Sequence, residues 1–334
     1  MQLAVIIVSY NTRDLLRNCL HSVLDSAALS AEQLAVDVIV VDNASHDDSV
    51  EMVAAEFPQI HLVASPDNLG YTGGNNLALK LLGFNIADPL ASSASAPVHQ
   101  LPDCVLLLNA DTEIVADGLR QMANCLHNHP TIGACGANLR YGQGQFQHGA
   151  FGFPSLFQVA LDFFPLTGLP GVQRLHNSRF NGRYPAQLWR GIAPFPVDFV
   201  LGAALMVRGA AIQQVGGLDP EFFMYCEEMD WCLRLQAAGW SIYAVPTAHV
   251  IHHEGQSSRQ VRWSAYERLW RSRFRFYAKH RAYYFPGHLA IVRLLVRLGI
   301  QQRKWQAHRR FIQGEVTGEA LQAELAAYTK VTQL

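Results

Sequence analysis

Apolar positions in the first third of the chain follow two alternating patterns. Val5–Val8 (within Val5–Tyr10), Val38-Ile39-Val40-Val41 (within Asp37–Asp42), Ile60–Ala64 and Cys104–Leu108 are short, nearly unbroken apolar runs. Runs of this length predict strands covered on both faces, as in a parallel sheet. Between them the spacing changes to three and four. Leu15, Leu16, Cys19, Leu20, Val23 and Leu24 mark a helix over Thr12–Asp25. A second helix is expected over Ser45–Phe57, with Ser45 as N-cap, and a third over Asn75–Leu82. The glycine-rich stretch Asn68-Leu69-Gly70-Tyr71-Thr72-Gly73-Gly74 predicts a turn that introduces this third helix. Strands alternating with helices imply an open α/β sheet with helices on both faces.

Downstream the patterning is less regular. Ala87–Pro102, rich in Ala, Ser and Pro, reads as a surface insertion before the fourth strand. Tyr141–Pro196 is rich in Gly, Pro and aromatic residues with little periodicity, the kind of segment that often covers an active site. Val197–Val207 returns to strand character, and Gly216-Gly217-Leu218-Asp219-Pro220 predicts a turn. Met229–Ala238 is helical and closes at Gly239, Ser241–Val245 is a further strand, and after Gln260 the chain becomes basic and helical. No internal repeat is visible.

Half of the 334 residues are apolar and 16% are charged, enough for a large core and against global disorder. One α/β domain over 1–258, with halves 1–115 and 116–258, and a helical extension over 259–334 fit this length. Six cysteines without a CxxC pair read as reduced, buried thiols of a cytoplasmic protein, with Cys226 and Cys232 a remote metal-ligand possibility. The apolar start has strand length and lacks a basic leader, so no signal peptide is expected. No stretch reaches the eighteen or so uninterrupted apolar residues of a spanning helix. The net charge of −1 conceals an asymmetry: Arg259–Arg310 contains 14 Lys and Arg against a single acid, Glu267. A basic segment on an acidic body predicts an anionic partner for that segment.

The chemistry is concentrated at strand ends. Open parallel sheets bind ligands at the carboxyl ends of their strands, where this chain carries Ser9-Tyr10-Asn11, Asp42-Asn43, Pro66-Asp67-Asn68 and Asn109-Ala110-Asp111. Asp42 is either a ligand for a base N–H or ribose hydroxyl, or a turn residue. Asp111 is either a metal ligand or a cap. Glu227, Glu228 and Asp230 crowd three carboxylates into four positions, where like charges raise one another's pKa. Glu228 is the candidate general base, with Glu227 the competing choice; Glu227 and Asp230 orient the site, pair with Arg234, or serve the helix dipole. His252 or His253, next to Glu254-Gly255-Gln256-Ser257, is a candidate for a metal or a phosphate. Gly70–Gly74 matches neither GxGxxG nor the P-loop, so it names no nucleotide.

Taken in order, these motifs resemble the family 2 inverting glycosyltransferases of the GT-A fold, and within it the rhamnosyltransferase-like branch of cell-surface polysaccharide synthesis. The resemblance runs from Val5 to about Ser258, through Ile7–Asn11, Val41–Ser45, Asn68–Asn76, Leu108–Asp111, Gly202–Ala204, Gly216–Asp219, Glu227–Arg234 and His252–Ser257. It implies a Rossmann-like, mixed but mostly parallel sheet flanked by helices, with a helical, basic C-terminal extension. It further implies a nucleoside-diphosphate sugar donor, dTDP-rhamnose among the candidates, and a glycan or lipid-linked acceptor. Ser9, Tyr10, Asn11, Asp42 and Asn43 would hold the nucleoside, and Asn68, Gly70, Asn75 and Asn109 would line the nucleotide-sugar pocket. Asp111 and His252 would hold Mg²⁺ or Mn²⁺, and Glu228 would be the base. Asn109 stands where many members carry a first metal carboxylate, and Glu228 where many carry Asp.

Outside the resemblance, Val292, Leu294, Leu295, Val296, Leu298 and Ile300, with Arg293 and Arg297, form an amphipathic segment. It suits an anionic leaflet at the inner face of the plasma membrane, or packing on the catalytic domain or a second subunit. Nucleic acid is not an expected partner. Two other classes compete: a nucleotidyltransferase, disfavoured because no basic residue lies in Gly70–Gly74, and a non-catalytic sugar-nucleotide or polysaccharide-binding module.

Overall fold

The computed structural model describes residues 1–86, 101–166, 172–253 and 262–334. They divide into two compact units: Met1–Phe151 with Tyr184–Phe223 and Glu227–Ser257, and Gly152–Arg183 with Met224–Cys226 and Ser258–Leu334.

The first unit is built on a nine-stranded sheet. Its strands are β1 (Gln2–Ser9), β2 (Ala35–Asn43), β3 (His61–Ser65), β4 (Cys104–Asn109), β5 (Thr112–Ile114), β6 (Ile132–Tyr141), β8 (Phe195–Pro196), β10 (Ala204–Arg208) and β11 (Ser241–His252). The path is β3-β2-β1-β4-β10-β6-β11-β5, with β8 paired to β11. Strands β1–β4, β6 and β11 run one way, and β5, β8 and β10 run against them. The short strands β7 (Ala150–Phe151) and β9 (Phe199–Val200) form a separate pair.

β1 is buried almost throughout, as its apolar run requires. Its alternate residues Leu3, Val5 and Ile7 pack with Leu16, Cys19, Leu20 and Val23 of α1 (Arg13–Ala28) and with Leu119, Met122 and Leu126 of α4 (Gly118–Asn128). Ala4 and Ile6, on the opposite face, are equally buried. The sheet around β1 is thus a core on both sides. A short helix, α7 (Gly209–Val215), follows β10 and leads to the Gly216-Gly217 turn.

Several boundaries differ from expectation: the strand expected over Val197–Val207 is split into β9 and β10, and the helix expected over Met229–Ala238 is Glu227–Ala237. The second helix, α2, is Ser49–Glu56, and Ser45 does not cap it: its Oγ accepts from the Asn11 amide at 2.9 Å. The third, α3, begins at Gly70 and runs to Leu81, so the glycines form its first turn rather than a loop before it. The reason is space. A Cβ at Gly70, where φ is +71°, would overlap the Phe223 carbonyl, and one at Gly74 would lie 2.8 Å from Val8. β11 extends to His252, beyond the expected Val245, with an irregularity between Val245 and His249.

The second unit joins Gly152–Arg183 to the C-terminal helices Arg262–Lys279, His288–Ile312 and Gly318–Gln333. The aperiodic segment therefore contains regular structure, α5 (Leu156–Phe163) and the short α6 (Val172–His176). α5 opens with a capping box in which Ser155 Oγ accepts from the Gln158 amide and Gln158 Oε1 accepts from the Ser155 amide. Gly299 of the 288–312 helix lies against the Phe163 ring, with no room for a Cβ. Arg303 sits 4.8 Å over the same ring and donates to the Asp162 carbonyl. Val292, Val296 and Ile300 are buried, so they form the packing face of this helix, whereas Leu294 and Leu298 are exposed. The expected amphipathic segment thus has its apolar residues on two different faces. Among the described residues no helix is long and apolar enough to cross a membrane. The insertion expected at Ala87–Pro102 lies outside the described residues apart from 101–102, as does the stretch from Glu254 to Ser257.

Candidate active site

Register brings the predicted strand ends level. Ser9 stands opposite Asp42, Val8 opposite Asn109, and Asn43 opposite Ser65. Asp42 and Asn43 are buried, each with one arm committed to the fold. Asp42 Oδ1 accepts from the Ser45 amide at 2.8 Å, and Asn43 Nδ2 donates to the Gly70 carbonyl at 3.0 Å. Asn75 Nδ2 likewise donates to the Tyr71 carbonyl at 2.8 Å. The second oxygens (Asp42 Oδ2, Asn43 Oδ1 and Asn75 Oδ1) are buried without a hydrogen-bond partner among the described residues. Buried acceptors of this kind are costly unless a donor reaches them. A nucleoside offers such donors.

Other predicted residues shape loops. Asn11, at φ +51°, accepts the His46 amide on Oδ1 at 2.8 Å, and Asn68 Oδ1 accepts the Gly70 amide at 3.0 Å. Ser9 Oγ lies 3.0 Å from Thr12 Oγ1. Tyr10 is half-buried beside them. Asn109 ends β4, and its carbonyl accepts from Thr112 Oγ1 at 2.7 Å.

Asp111 and His252 meet across the β5–β11 pairing, where His252 stands opposite Thr112. Asp111 Oδ1 lies 3.4 Å from His252 Nε2, both side chains are largely buried, and the Asp111 carbonyl accepts from the His253 amide at 2.8 Å. On the far side of the ring, His252 Nδ1 lies 3.1 Å from Gln147 Oε1. With Nδ1–H donating to Gln147, the Nε2 lone pair faces the carboxylate, an arrangement suited to a shared cation. No third His, Cys, Asp or Glu joins them among the described residues. Two protein donors suit Mg²⁺ or Mn²⁺, which keep most of their coordination for phosphate oxygens and water. His253 is engaged elsewhere, with Nε2 2.8 Å from Glu113 Oε1.

The acidic cluster starts α8 (Glu227–Ala237), directly after two residues in the left-handed region, Tyr225 at φ +72° and Cys226 at +66°. Non-glycine residues held there are strained, and such strain gathers at functional sites. The three carboxylates differ. Asp230 is fully buried and accepts from Arg234 Nε at 2.7 Å. Arg234 also donates to the carbonyls of Val215 and Gly217, so the pair clamps α8 to the Gly216-Gly217 turn. Glu228 is pushed up to about 7, chiefly by burial. Glu227 is raised well above the carboxylate range by burial first and by the Glu228 charge second. Both shifts favour the protonated pair, so it takes up its first negative charge only around neutral pH and a second charge is opposed by the first.

A set of hydrogen bonds leads from the strand ends to Phe223, four residues before this cluster. The Asn109 amide donates to the Ala203 carbonyl at 3.0 Å, and the neighbouring Gly202 carbonyl accepts from Tyr71 OH at 2.7 Å. The Tyr71 amide donates to the Phe223 carbonyl at 3.1 Å. The Tyr71 phenol is itself pushed up by burial and by the charges of Glu227 and Glu228. Neither Tyr71 nor Gln147 stands out as a site residue in the sequence. Tyr71 lies within the glycine-rich motif, whereas a lone Gln in an aperiodic stretch gives no signal.

The profile of the family described as "Glycosyltransferase like family 2" matches residues 1–275, and the chain belongs to that family. An N-acetylglucosaminyl-diphospho-decaprenol L-rhamnosyltransferase of Mycobacterium tuberculosis is 29% identical over 244 residues, covering 72% of this chain and 73% of that protein. The rhamnosyltransferase WbbL of Escherichia coli is 38% identical over 85 residues, 25% of this chain and 32% of its own. In structure, the mannosyltransferase PcManGT of Pyrobaculum calidifontis, solved with GDP-Man and Mn²⁺, superposes with a TM-score of 0.55. It covers 99% of this chain and 86% of its own, at 14% identity. GalNAc-T7, solved with UDP, GalNAc and Mn²⁺, gives 0.52 over 75% of this chain and 43% of its own, also at 14% identity. These likenesses establish the GT-A fold.

Proposed function

We propose that this protein is an inverting, divalent-metal-dependent glycosyltransferase that moves a sugar, L-rhamnose by preference, from a nucleoside diphosphate to a hydroxyl of a lipid-linked glycan. The names of its relatives support the sugar and the acceptor class. The observation that supports catalysis most directly is the Glu228 carboxyl, lifted to about 7 at the start of α8. A general base works best with a pKa near the working pH.

The division of labour follows from the side chains. Asp42, Asn43 and Asn75 offer their spare acceptors to the nucleoside, within loops shaped by Ser9, Tyr10, Asn11, Asn68 and Gly70, while Asn109 borders the diphosphate. Asp111 and His252 hold the cation, and Gln147 fixes the imidazole tautomer. When bound, that cation neutralises charge on the departing nucleoside diphosphate. Glu228 takes the proton of the acceptor hydroxyl as its oxygen attacks the anomeric carbon from the face opposite the leaving group. The C–O bond to the diphosphate breaks, its electron pair leaves with the nucleoside diphosphate, and the configuration inverts. Glu227, protonated, does not compete for that proton. Transfer takes place at the inner, cytoplasmic face of the membrane.

The test is a transfer assay with dTDP-rhamnose, Mn²⁺ and a short-chain polyprenyl-diphosphate glycan, with the product anomer read by NMR. Glu228→Gln keeps nucleotide binding and loses transfer by a factor on the order of 10² or more. Near-wild-type turnover in that variant, or a retained anomer, overturns the reading.

A further inference from the structure

The 288–312 helix of the second unit has two apolar faces. Val292, Val296, Gly299, Ile300 and Ala307 are buried within the protein. On another side, Ile291, Leu294, Leu298, Trp305 and Ile312 are 39%, 56%, 52%, 62% and 83% exposed. Steps of three, four, seven and seven residues keep these five on a single stripe. At 1.5 Å per residue the stripe is roughly 30 Å long. Tyr283 and Phe285, just before the helix, are also more than half exposed. An apolar band of this extent on a protein surface marks a contact site.

Charge selects the occupant. Arg293, Arg297 and Lys304, four and seven residues apart, run along the flank beside the stripe, and the helix contains no Asp or Glu. Arg293 and Arg297 are exposed. Lys304 is partly exposed and donates to Thr329 Oγ1 at 3.2 Å. A second copy of the chain seated on this face would bring two basic flanks together, which costs free energy. An anionic surface would be attracted instead. An apolar stripe bearing Trp, bordered by Arg and Lys, is the pattern of a helix lying in a lipid interface.

We propose that the face formed by Ile291, Leu294, Leu298, Trp305 and Ile312 docks onto an anionic phospholipid bilayer. The stripe sits at the headgroup–acyl boundary, and Arg293, Arg297 and Lys304 lie among the phosphates. The inference rests on the proposed lipid-linked acceptor only for its purpose; the docking itself needs no catalysis.

The experiment sediments the full chain with vesicles of phosphatidylcholine, with or without about one third phosphatidylglycerol, at low and high salt. The wild type binds the anionic vesicles, and salt weakens the binding. Leu294→Glu/Leu298→Glu reduces it by about tenfold or more while the unfolding midpoint stays in place, since both side chains are exposed. Trp305→Phe abolishes the fluorescence quenching that brominated lipids produce at that position. Absence of sedimentation, equal sedimentation of the double variant, or a dimer in sedimentation equilibrium that the same substitutions dissolve would overturn the proposal. Glu228→Gln binds vesicles as the wild type does, so a failed transfer reading and a failed docking reading are told apart.

Discussion

Replacing Glu228 by Gln should make the protein more stable at alkaline pH and leave it unchanged in acid. Burial raises this carboxyl from its ordinary 4.5 to about 7. The folded state therefore keeps a proton that the unfolded chain releases near 4.5. Stability falls as pH rises from that value, and the loss is complete above about 7. A carboxyl displaced this far corresponds to roughly 3 kcal/mol. Gln is neutral and nearly isosteric, so the variant escapes this cost. It also relieves Glu227, which the Glu228 charge helps to raise, and that adds to the effect in the same direction. The assay is urea denaturation of both proteins at intervals from about pH 5 to 8.5, without metal or nucleotide. The difference between the curves should be under about 1 kcal/mol at the acid end and open to roughly 3 kcal/mol by about pH 8. Parallel curves would refute the argument, because Glu228 would then titrate as an ordinary surface carboxylate.

The same carboxyl should give kcat/KM an acid limb near pH 7. Glu227→Gln should retain turnover within a few-fold because its carboxyl is already protonated; a loss as deep as that of Glu228→Gln would exchange their roles. Asp111→Asn and His252→Ala should each raise the Mn²⁺ concentration needed for nucleoside-diphosphate binding by on the order of tenfold or more, with Gln147→Leu a smaller shift in the same direction. Calorimetry checks this, and an unchanged metal requirement in Asp111→Asn would remove the cation from that pair. Asp230→Ala leaves Arg234 without its buried partner and should cost roughly 3–5 kcal/mol in denaturation; a loss under about 1 kcal/mol, typical of exposed ion pairs, would contradict the clamp. Gly70→Ala meets both the left-handed φ and the Phe223 carbonyl, so it should lower stability by roughly 1–3 kcal/mol, and a neutral result would show that the α3 start is free to shift.

The first strands are legible in the sequence because strands buried on both faces leave continuous apolar runs, as β1, β2 and β4 do, whereas the short β5 and β8, and β6 with its Gly, Asn and Arg, leave none. The strand-end motifs are legible because polar residues follow directly on each apolar run, even where, as at Ser9, Asp42 and Asn43, they are themselves buried. Ser45 reads as a cap because a Ser before a helical pattern has one signature whether it caps its own helix or receives a distant amide, here that of Asn11. The glycines of α3 read as a turn because glycine's lack of a Cβ serves close packing as well as it serves a loop. Which helix face is buried is set by partners remote in sequence, so periodicity alone does not separate Val292, Val296 and Ile300 from Leu294 and Leu298. Glu227 and Glu228 are interchangeable in the sequence. Burial separates them, and burial is a property of the folded chain.

If Asp111 with His252, and Glu228, act on one bound sugar, the cation and residue 228 must flank the same anomeric carbon. Manganese anomalous diffraction from crystals of the Glu228→Gln variant, soaked with Mn²⁺ and the nucleotide sugar, examines that geometry. The expected result is a manganese peak within bonding distance of Asp111 and His252, with residue 228 facing the anomeric carbon from the side opposite the diphosphate. Manganese bound elsewhere, or residue 228 walled off from the sugar, would contradict it.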